Sequence, residues 1–277
     1  MNKRKMASAN GGSLSPLDFA ITQRSLNTLD MVKEAITHNQ TLLAFQPVMR
    51  SNTMGQVGFY EGLIRVLDAT GRVIPAAEFM GKIEDTETGR EIDVLALRHG
   101  LNSLKSNPHL RLSINMSARS IGYRPWMHCL TRFLNTSPTV GERLILEISE
   151  SSAMLVPELV IDVMERLQPR GICFAMDNFG AGQMAIRYFK DFDFDILKID
   201  GQFMRGIANN PDNQAVVRAL FAISQEFDML TVAESIETHD DAIVAQQIGI
   251  DCLQGYYFAA PTTQPDWLNN SGKRNRA

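Results

Sequence analysis

The feature that most constrains this chain is a pattern that repeats. Eight short runs rich in β-branched or aromatic residues follow one another: Leu42–Pro47, Gly58–Val66, Leu110–Ser117, Arg143–Glu150, Ile172–Phe179, Ile196–Gly201, Leu230–Glu237 and Cys252–Ala259. From the second onward, each carries side chains that bind cations, move protons or contact anions. A continuous apolar run is what a strand buried on both faces looks like. Charge where such a run stops belongs at the carboxyl edge of a sheet, where α/β enzymes carry their chemistry.

Between the later runs the gaps are long enough for crossover helices. Helices are expected over Glu91–Leu104, Trp126–Leu134, Pro157–Leu167, Met184–Phe189, Asn213–Phe227 and Asp240–Ile248. Asp212 is expected to cap the fifth of these and Gly249 to end the sixth. Ahead of the first run, Leu26, Leu29, Val32 and Ile36 fall at helical spacing, which places a helix over 22–38. Eight strands with mostly helical connections make a TIM (β/α)8 barrel, and 277 residues suffice for the roughly 250 that one barrel needs. The link from Ser51 to Val57 is too short for a helix and rich in turn formers. It predicts a hairpin, so the barrel is a modified one with one antiparallel strand. Residues 1–21 read as a disordered arm, 22–265 as the barrel domain and 266–277 as a basic flexible tail.

Composition bounds the partners. The net charge is −4, with no strongly basic character, so no DNA or RNA coating is expected. No apolar run approaches the ~18–20 residues of a membrane span, and no membrane attachment is expected. Cys129, Cys173 and Cys252 are scattered, with no paired spacing, and Cys173 and Cys252 read as buried small hydrophobes. A reducing, cytoplasmic setting is the expectation.

The polar residues within the runs are Glu61 and Arg65, then Asn115, then Glu147 and Glu150, then Asp177 and Asn178, then Lys198 and Asp200, then Glu234 and Glu237, and last Gln254. A single acid after a strand is ordinarily a helix cap or an ion-pair partner. Recurrence on seven strands is what points to a site. Carboxylates converging on one barrel mouth repel one another unless cations are present. An oxygen-rich set suits Mg²⁺ or Mn²⁺, with Ca²⁺ as an inhibitory competitor. No histidine stands at these ends, which disfavours zinc. Glu150 and Glu237 each lie three residues past a stronger candidate and read equally well as supporting or solvated groups.

These residues also fall into ordered motifs. They are Glu61-Gly62-Leu63 followed by Ile64-Arg65, Asn115 within Ser113–Ser117, Glu147 with Glu150, Asp177-Asn178-Phe179-Gly180, Lys198-Ile199-Asp200, Ala233-Glu234-Ser235-Ile236-Glu237, and Gln254-Gly255-Tyr256 with Pro261. From about Leu42 to Pro261 the chain resembles the EAL-domain family of cyclic-di-GMP phosphodiesterases and their degenerate receptors. The resemblance implies an EAL-type barrel and cleavage of cyclic-di-GMP to linear pGpG with two Mg²⁺ or Mn²⁺ ions. It implies that Glu61, Asn115, Glu147 and Asp177 hold the first metal, and that Asp177 and the residue at 178 serve the second. Lys198 would position or polarise the attacking water. Glu234 would act as general base or complete the metal site, and Asp200 would orient Lys198 and water. Glu150 would brace the loop after Asp177, while Gln46, Arg65 and Gln254 would contact the dinucleotide. Control of motility, adhesion or biofilm is the downstream process the family implies.

Three departures bear on activity. Asn178 stands where active members carry Asp, which withdraws one charge from the second metal. The loop 181–185 has mostly lost the family's Thr-Gly-Tyr-Ser-Ser pattern. Gly62 replaces Ala, a mild loss of one methyl, and Ser235 replaces Gly. Three readings follow: a phosphodiesterase, a cyclic-di-GMP receptor without turnover, or a protein-interaction module that no longer needs the nucleotide. A metal-dependent TIM-barrel enzyme acting on a different small phosphorylated or carboxylated substrate is the unrelated alternative. A homodimer and a protein partner are left open.

Overall fold

The computed structural model describes residues 28–53, 55–182 and 190–271. Its strands are β1 (Thr41–Arg50), β2 (Val57–Leu67), β3 (Val73–Pro75), β4 (Leu112–Asn115), β5 (Leu144–Ser149), β6 (Cys173–Phe179), β7 (Ile196–Ile199), β8 (Leu230–Ala233) and β9 (Cys252–Leu253). They run β1-β9-β8-β7-β6-β5-β4-β2 around a barrel that the β1–β2 pairing closes, and β3 hangs on the far side of β2. β1 is antiparallel to both neighbours, β2 and β9, while β2 and β4 through β9 are mutually parallel. The expected hairpin is therefore present, and it makes β1 the reversed strand. The short edge strand β3 was not foreseen: three residues carry too little pattern to be read.

The connecting helices include Glu87–Ser106, Arg124–Thr136, Pro157–Leu167, Pro211–Glu226 and His239–Ile248. Gly249 ends the last of these in the left-handed conformation, at φ 110°. The helix expected from Asn213 begins earlier. Pro211 takes its first position, and Asn210 rather than Asp212 caps it, accepting from the Asn213 N–H. The N-terminal helix is described over 28–37. The expected arm 1–21, the start of that helix, the helix Met184–Phe189 and most of the loop 181–185 lie outside the described residues. The tail expected from 266 begins instead with a helix, Asp266–Ser271. Trp267 anchors it edge-on against Phe45 and Tyr60, with ring centroids 4.9 and 5.9 Å away. Among the described residues no helix is long and apolar enough to cross a membrane. The three cysteines are free and half-buried rather than fully buried, because Cys173 and Cys252 sit at the open lower end of the barrel.

The barrel interior is layered, and the layering positions the site. Phe59, Ile145, Ala175, Ile196 and Val232 pack with Val48 into one apolar cluster inside the barrel, joined by Cys252. Side chains two apart on a strand share a face. The next inward layer is therefore Glu61, Glu147, Asp177, Lys198, Glu234 and Gln254. β1 runs the other way, so there the polar residue, Gln46, precedes the apolar one, Val48. The outward residues of the same strands, such as Leu146, Phe174 and Leu197, join the main core beneath the helices.

Gly62 is not a missing methyl. A Cβ there would stand 2.7 Å from Ile114 Cδ1 and 3.3 Å from Leu43 Cδ1, so Ile114 has filled the space. The substitution is thus a repacking rather than a cavity. Gly62→Ala should destabilise the protein by about 1–3 kcal/mol through overpacking. The double variant with Ile114→Val, which removes the offending carbon, should recover most of that in denaturant unfolding.

Candidate active site at the carboxyl end of the barrel

Lys198 is the centre of the site. It lies in β7, fully buried, and its Nζ is within 2.8 Å of Glu147 Oε2 and Glu234 Oε1, 3.2 Å of Asp177 Oδ1 and 3.3 Å of Glu61 Oε2. Burial works against its charge, but the four carboxylates win and raise its pKa well above the usual value. Burial and the Glu61 charge push Glu147 well above the carboxylate range despite Lys198. Glu234 is pushed up to about 8, by burial first and by Asp177 and Glu61 next, with Lys198 opposing. Glu61 goes the other way: burial raises it, yet the Lys198 charge and hydrogen bonds from Gln254 and Asn115 hold it below the usual value. One ammonium thus organises a ring of acids, two of which burial and mutual repulsion make harder to ionise than an ordinary carboxyl.

Amides complete the ring. Asn115 Nδ2 donates to Glu61 Oε1 at 2.7 Å, and Gln254 Nε2 donates to Glu61 Oε2 at 2.6 Å and to Gln46 Oε1 at 3.1 Å. Gln46 in turn donates to the Ala259 carbonyl. Arg65 lies four residues beyond Glu61 on the same strand, half-buried, with its guanidinium on the Ile64 carbonyl, the Glu61 carboxylate as a charged neighbour and the Tyr256 phenol nearby.

At Asp177 the β6 ladder is irregular, shifting register between Met176 and Phe179. Such a bulge re-aims side chains, so Asp177 and Asn178 are not held to strict alternation. Asn178 takes φ 55°, a left-handed conformation that Asn tolerates. Its Nδ2 donates to Asp177 Oδ2 at 2.7 Å. Glu150 Oε2 accepts from the Gly180 and Gly182 backbone N–H groups, at 2.9 and 3.2 Å. It ties down the start of the loop after Asp177.

Two candidates stand apart. Asp200 caps the turn Gly201–Met204 by accepting from Gln202 N–H at 2.7 Å, and among the described residues it forms no ion pair with Lys198. Glu237 lies at the exposed rim, 3.7 Å from Arg205 Nε. The rim encloses a cavity of about 240 Å³ bounded by Glu61, Glu234, Glu237, Gln254, Tyr256 and Arg205. A larger cavity, about 790 Å³, opens at the opposite end among residues such as Ile145, Ile196 and Leu230, far from the carboxylates. Size does not locate the chemistry here; the convergence of titratable groups does.

The donors suit a hard divalent cation. Glu147 Oε1 is buried without a hydrogen-bond partner, Asp177 Oδ1 meets only the Lys198 ammonium, and the set is all carboxylate and amide oxygen. Among the described residues no three acidic, histidine or cysteine side chains are gathered in metal-holding geometry. Lys198 Nζ occupies the centre of the ring, where a cation shared by the four acids would otherwise sit.

Asp93 was missed in the sequence. It lies buried on the helix Glu87–Ser106, where its Oδ2 accepts from Ser117 N–H at 2.9 Å and Ser120 Oγ at 2.6 Å. It pins the turn that follows Asn115. Its only signal was a charge flanked by Ile92 and Val94 on an apolar helix. Burial pushes its carboxyl from 3.8 to about 6. A carboxyl raised in the folded state binds its proton more tightly there than in the unfolded chain. The contribution of Asp93 to stability should therefore be full below about pH 4 and decline by about 3 kcal/mol as pH rises to about 6. Asp93→Asn should flatten that slope in urea unfolding measured across pH 4–7.

An EAL domain family model matches residues 29–261. The chain is 31% identical over 261 residues to the cyclic di-GMP phosphodiesterase PA2567 of Pseudomonas aeruginosa, covering 91% of this chain and 44% of that protein. It is 27% identical over 234 residues to the cyclic di-GMP phosphodiesterase PdeB of Shewanella oneidensis, covering 83% of this chain and 27% of that protein. The chain thus spans less than half the length of these curated relatives. Among solved structures it is similar to the PaMucR phosphodiesterase in complex with c-di-GMP, with TM-score 0.75 and 25% identity, covering 88% of this chain and 99% of that one. It is also similar to the FimX EAL domain of Pseudomonas aeruginosa bound to c-di-GMP, with TM-score 0.78, covering 86% and 97%. At 24% identity that second likeness is one of fold.

Proposed function

Because the chain belongs to the EAL domain family, we propose that it is a cyclic-di-GMP phosphodiesterase that opens the ring to linear pGpG. The observation that carries this is the ring itself: Glu61, Glu147, Asp177 and Glu234 all lie within 3.3 Å of Lys198 Nζ, with Asn115 and Gln254 hydrogen-bonded to Glu61. Drift after loss of chemistry erodes such acids first, and here one amide substitution, Asn178, is the change among the proposed ligands.

Glu61, Asn115, Glu147 and Asp177 would hold a Mg²⁺ or Mn²⁺ ion, and Asp177 with Asn178 a second. Bound there, the metal would acidify a water and stabilise charge on the phosphoryl oxygens. Water adds to phosphorus, the bond to one ribose 3′ oxygen breaks, and that oxygen leaves with a proton. Glu234, beside Lys198 at the cavity, would take the proton of the attacking water from its ionised form, and the rise that burial gives its carboxyl makes it a stronger base than an ordinary carboxylate. Lys198 would offer its ammonium to the attacking water or to the charge that develops on the phosphoryl oxygens. Glu150 steadies the Asp177 loop through two backbone N–H groups. Gln46, Arg65 and Gln254 contact the dinucleotide, and Asp200 acts on Lys198 only if its cap at Gln202 opens.

A second reading has an observation of its own. Asn178 donates to Asp177 and supplies no charge, which favours a cyclic-di-GMP receptor that binds without cutting. The test incubates the pure protein with cyclic-di-GMP and excess Mn²⁺ and follows pGpG by chromatography. Product formation supports the hydrolase. Micromolar binding without product sinks it and leaves the receptor. Absence of both leaves a protein-interaction module.

A further inference from the structure

Among the described residues Arg205 is the one basic side chain that lines the cavity beside the carboxylate ring, whose other charged lining residues are Glu61, Glu234 and Glu237. It follows the turn Gly201–Met204 and precedes Gly206, which takes φ 68°. No motif marked it in the sequence. Its guanidinium is tethered at two points: Nη2 lies 3.3 Å from Ser235 Oγ, and Nε lies 3.7 Å from Glu237 Oε1. The side chain nevertheless remains 61% exposed. Arginine carries five N–H donors, so a guanidinium held this loosely keeps donors for an anion.

The tether is built with some strain. Ser235 adopts φ 55°, a left-handed conformation natural to glycine and uphill for serine. Its hydroxyl sits over Gly201, where a Cβ would come within 2.3 Å of Ser235 Oγ. Any side chain at 201 would therefore push the hydroxyl away from Arg205. Gly201, Ser235 and Arg205 form one unit, and its visible product is an oriented cation at the rim of an otherwise acidic cavity.

A cyclic dinucleotide carries two phosphodiester charges. The Lys198 ring can serve only the one being cut, and the cavity walls beside it are acidic, so the other needs a cation of its own; Arg65 stands next to Glu61, while Arg205 stands at the rim. We propose that Arg205, oriented by Ser235 and Glu237, holds the second, uncut phosphodiester of the bound cyclic dinucleotide. This rests on the cyclic-di-GMP reading of the site. Because that contact is the same before and during cleavage, its loss acts on binding rather than on the chemical step.

Calorimetric titration of the full chain with cyclic-di-GMP, in Ca²⁺ to suppress turnover, tests the proposal. Arg205→Ala should weaken Kd at least tenfold, and in Mn²⁺ it should raise KM similarly while kcat falls less than threefold. Arg205→Lys should recover part of the loss. GMP, with one phosphate, should bind wild type and Arg205→Ala alike. Ser235→Gly should raise the unfolding midpoint by a few degrees, because the strain is relieved, yet weaken cyclic-di-GMP binding about threefold. A purely structural role for the serine would not separate those two readouts in that way. Wild-type affinity in Arg205→Ala overturns the proposal and leaves the site reading standing. Failure of the wild type to bind cyclic-di-GMP overturns the reading beneath it, and the proposal with it.

Discussion

Replacing Lys198 with methionine should lower metal-free stability by roughly 3–5 kcal/mol, the range for breaking a buried charge network by removing one partner. The ammonium is within 2.8–3.3 Å of four carboxylates, and β7 and its neighbours hold those acids in place whether or not it is there. Without it the acids must repel, take up protons or find another cation. Thermal unfolding in a chelator should show a midpoint lowered by roughly 6–20 °C at the usual few degrees per kcal/mol for a domain of this size. The deficit should shrink as pH falls, because acids raised in the folded state bind protons there in preference to the unfolded chain. Millimolar Mg²⁺ or Mn²⁺ should stabilise the variant more than the wild type, since a cation bound to the folded state alone stabilises by mass action. A variant as stable as wild type in chelator would refute the account of Lys198 as the cation that holds the ring. The same substitution should abolish pGpG formation.

Asn178→Asp should give opposite results with and without metal. In chelator it replaces the 2.7 Å hydrogen bond from Asn178 to Asp177 with two facing carboxylates. Loss of that bond and a repulsion in an exposed position together should destabilise the protein by about 1–2 kcal/mol. Aspartate tolerates the left-handed backbone at 178 nearly as well as asparagine, so strain adds little. In Mn²⁺ the restored charge should tighten the second ion, raising turnover at least tenfold and lowering the metal concentration for half-maximal rate. Measured rates against Mn²⁺ concentration decide this. If neither the rate nor the metal midpoint moves, Asn178 is not what limits the chemistry, and attention passes to the loop that begins at Ala181.

Gly62 and Ser235 show why departures from a family pattern are hard to weigh in one dimension. At 62 the sequence suggested a harmless lost methyl, but Ile114 Cδ1 lies where a Cβ would reach, so restoring alanine is the disruptive change. At 235 the sequence showed a serine where the family has glycine. The positive φ and the hydroxyl contact with Arg205 show a strained residue with a neighbour to orient. In both cases the deciding quantity is a contact between residues at least 30 apart in the chain.

The sequence by itself determined the barrel, the reversed first strand and most of the polar ring. Those follow from local rules: buried strands read as apolar runs, a seven-residue turn cannot hold a crossover, and side chains two apart share a face. It also named Glu61, Asn115, Glu147, Asp177, Lys198, Glu234 and Gln254, because a charged or amide side chain at the end of a buried run is conspicuous. Only the tertiary structure decided which of these meet. It put Lys198 at the centre of four acids, left Asp200 capping its own turn, and placed Glu237 at the rim. It also brought in Asp93 and Arg205, which sit on connecting segments with no strand end to mark them. Electrostatics in a closed barrel depends on distances across it, and those distances exist only once the β1–β2 pairing closes the sheet.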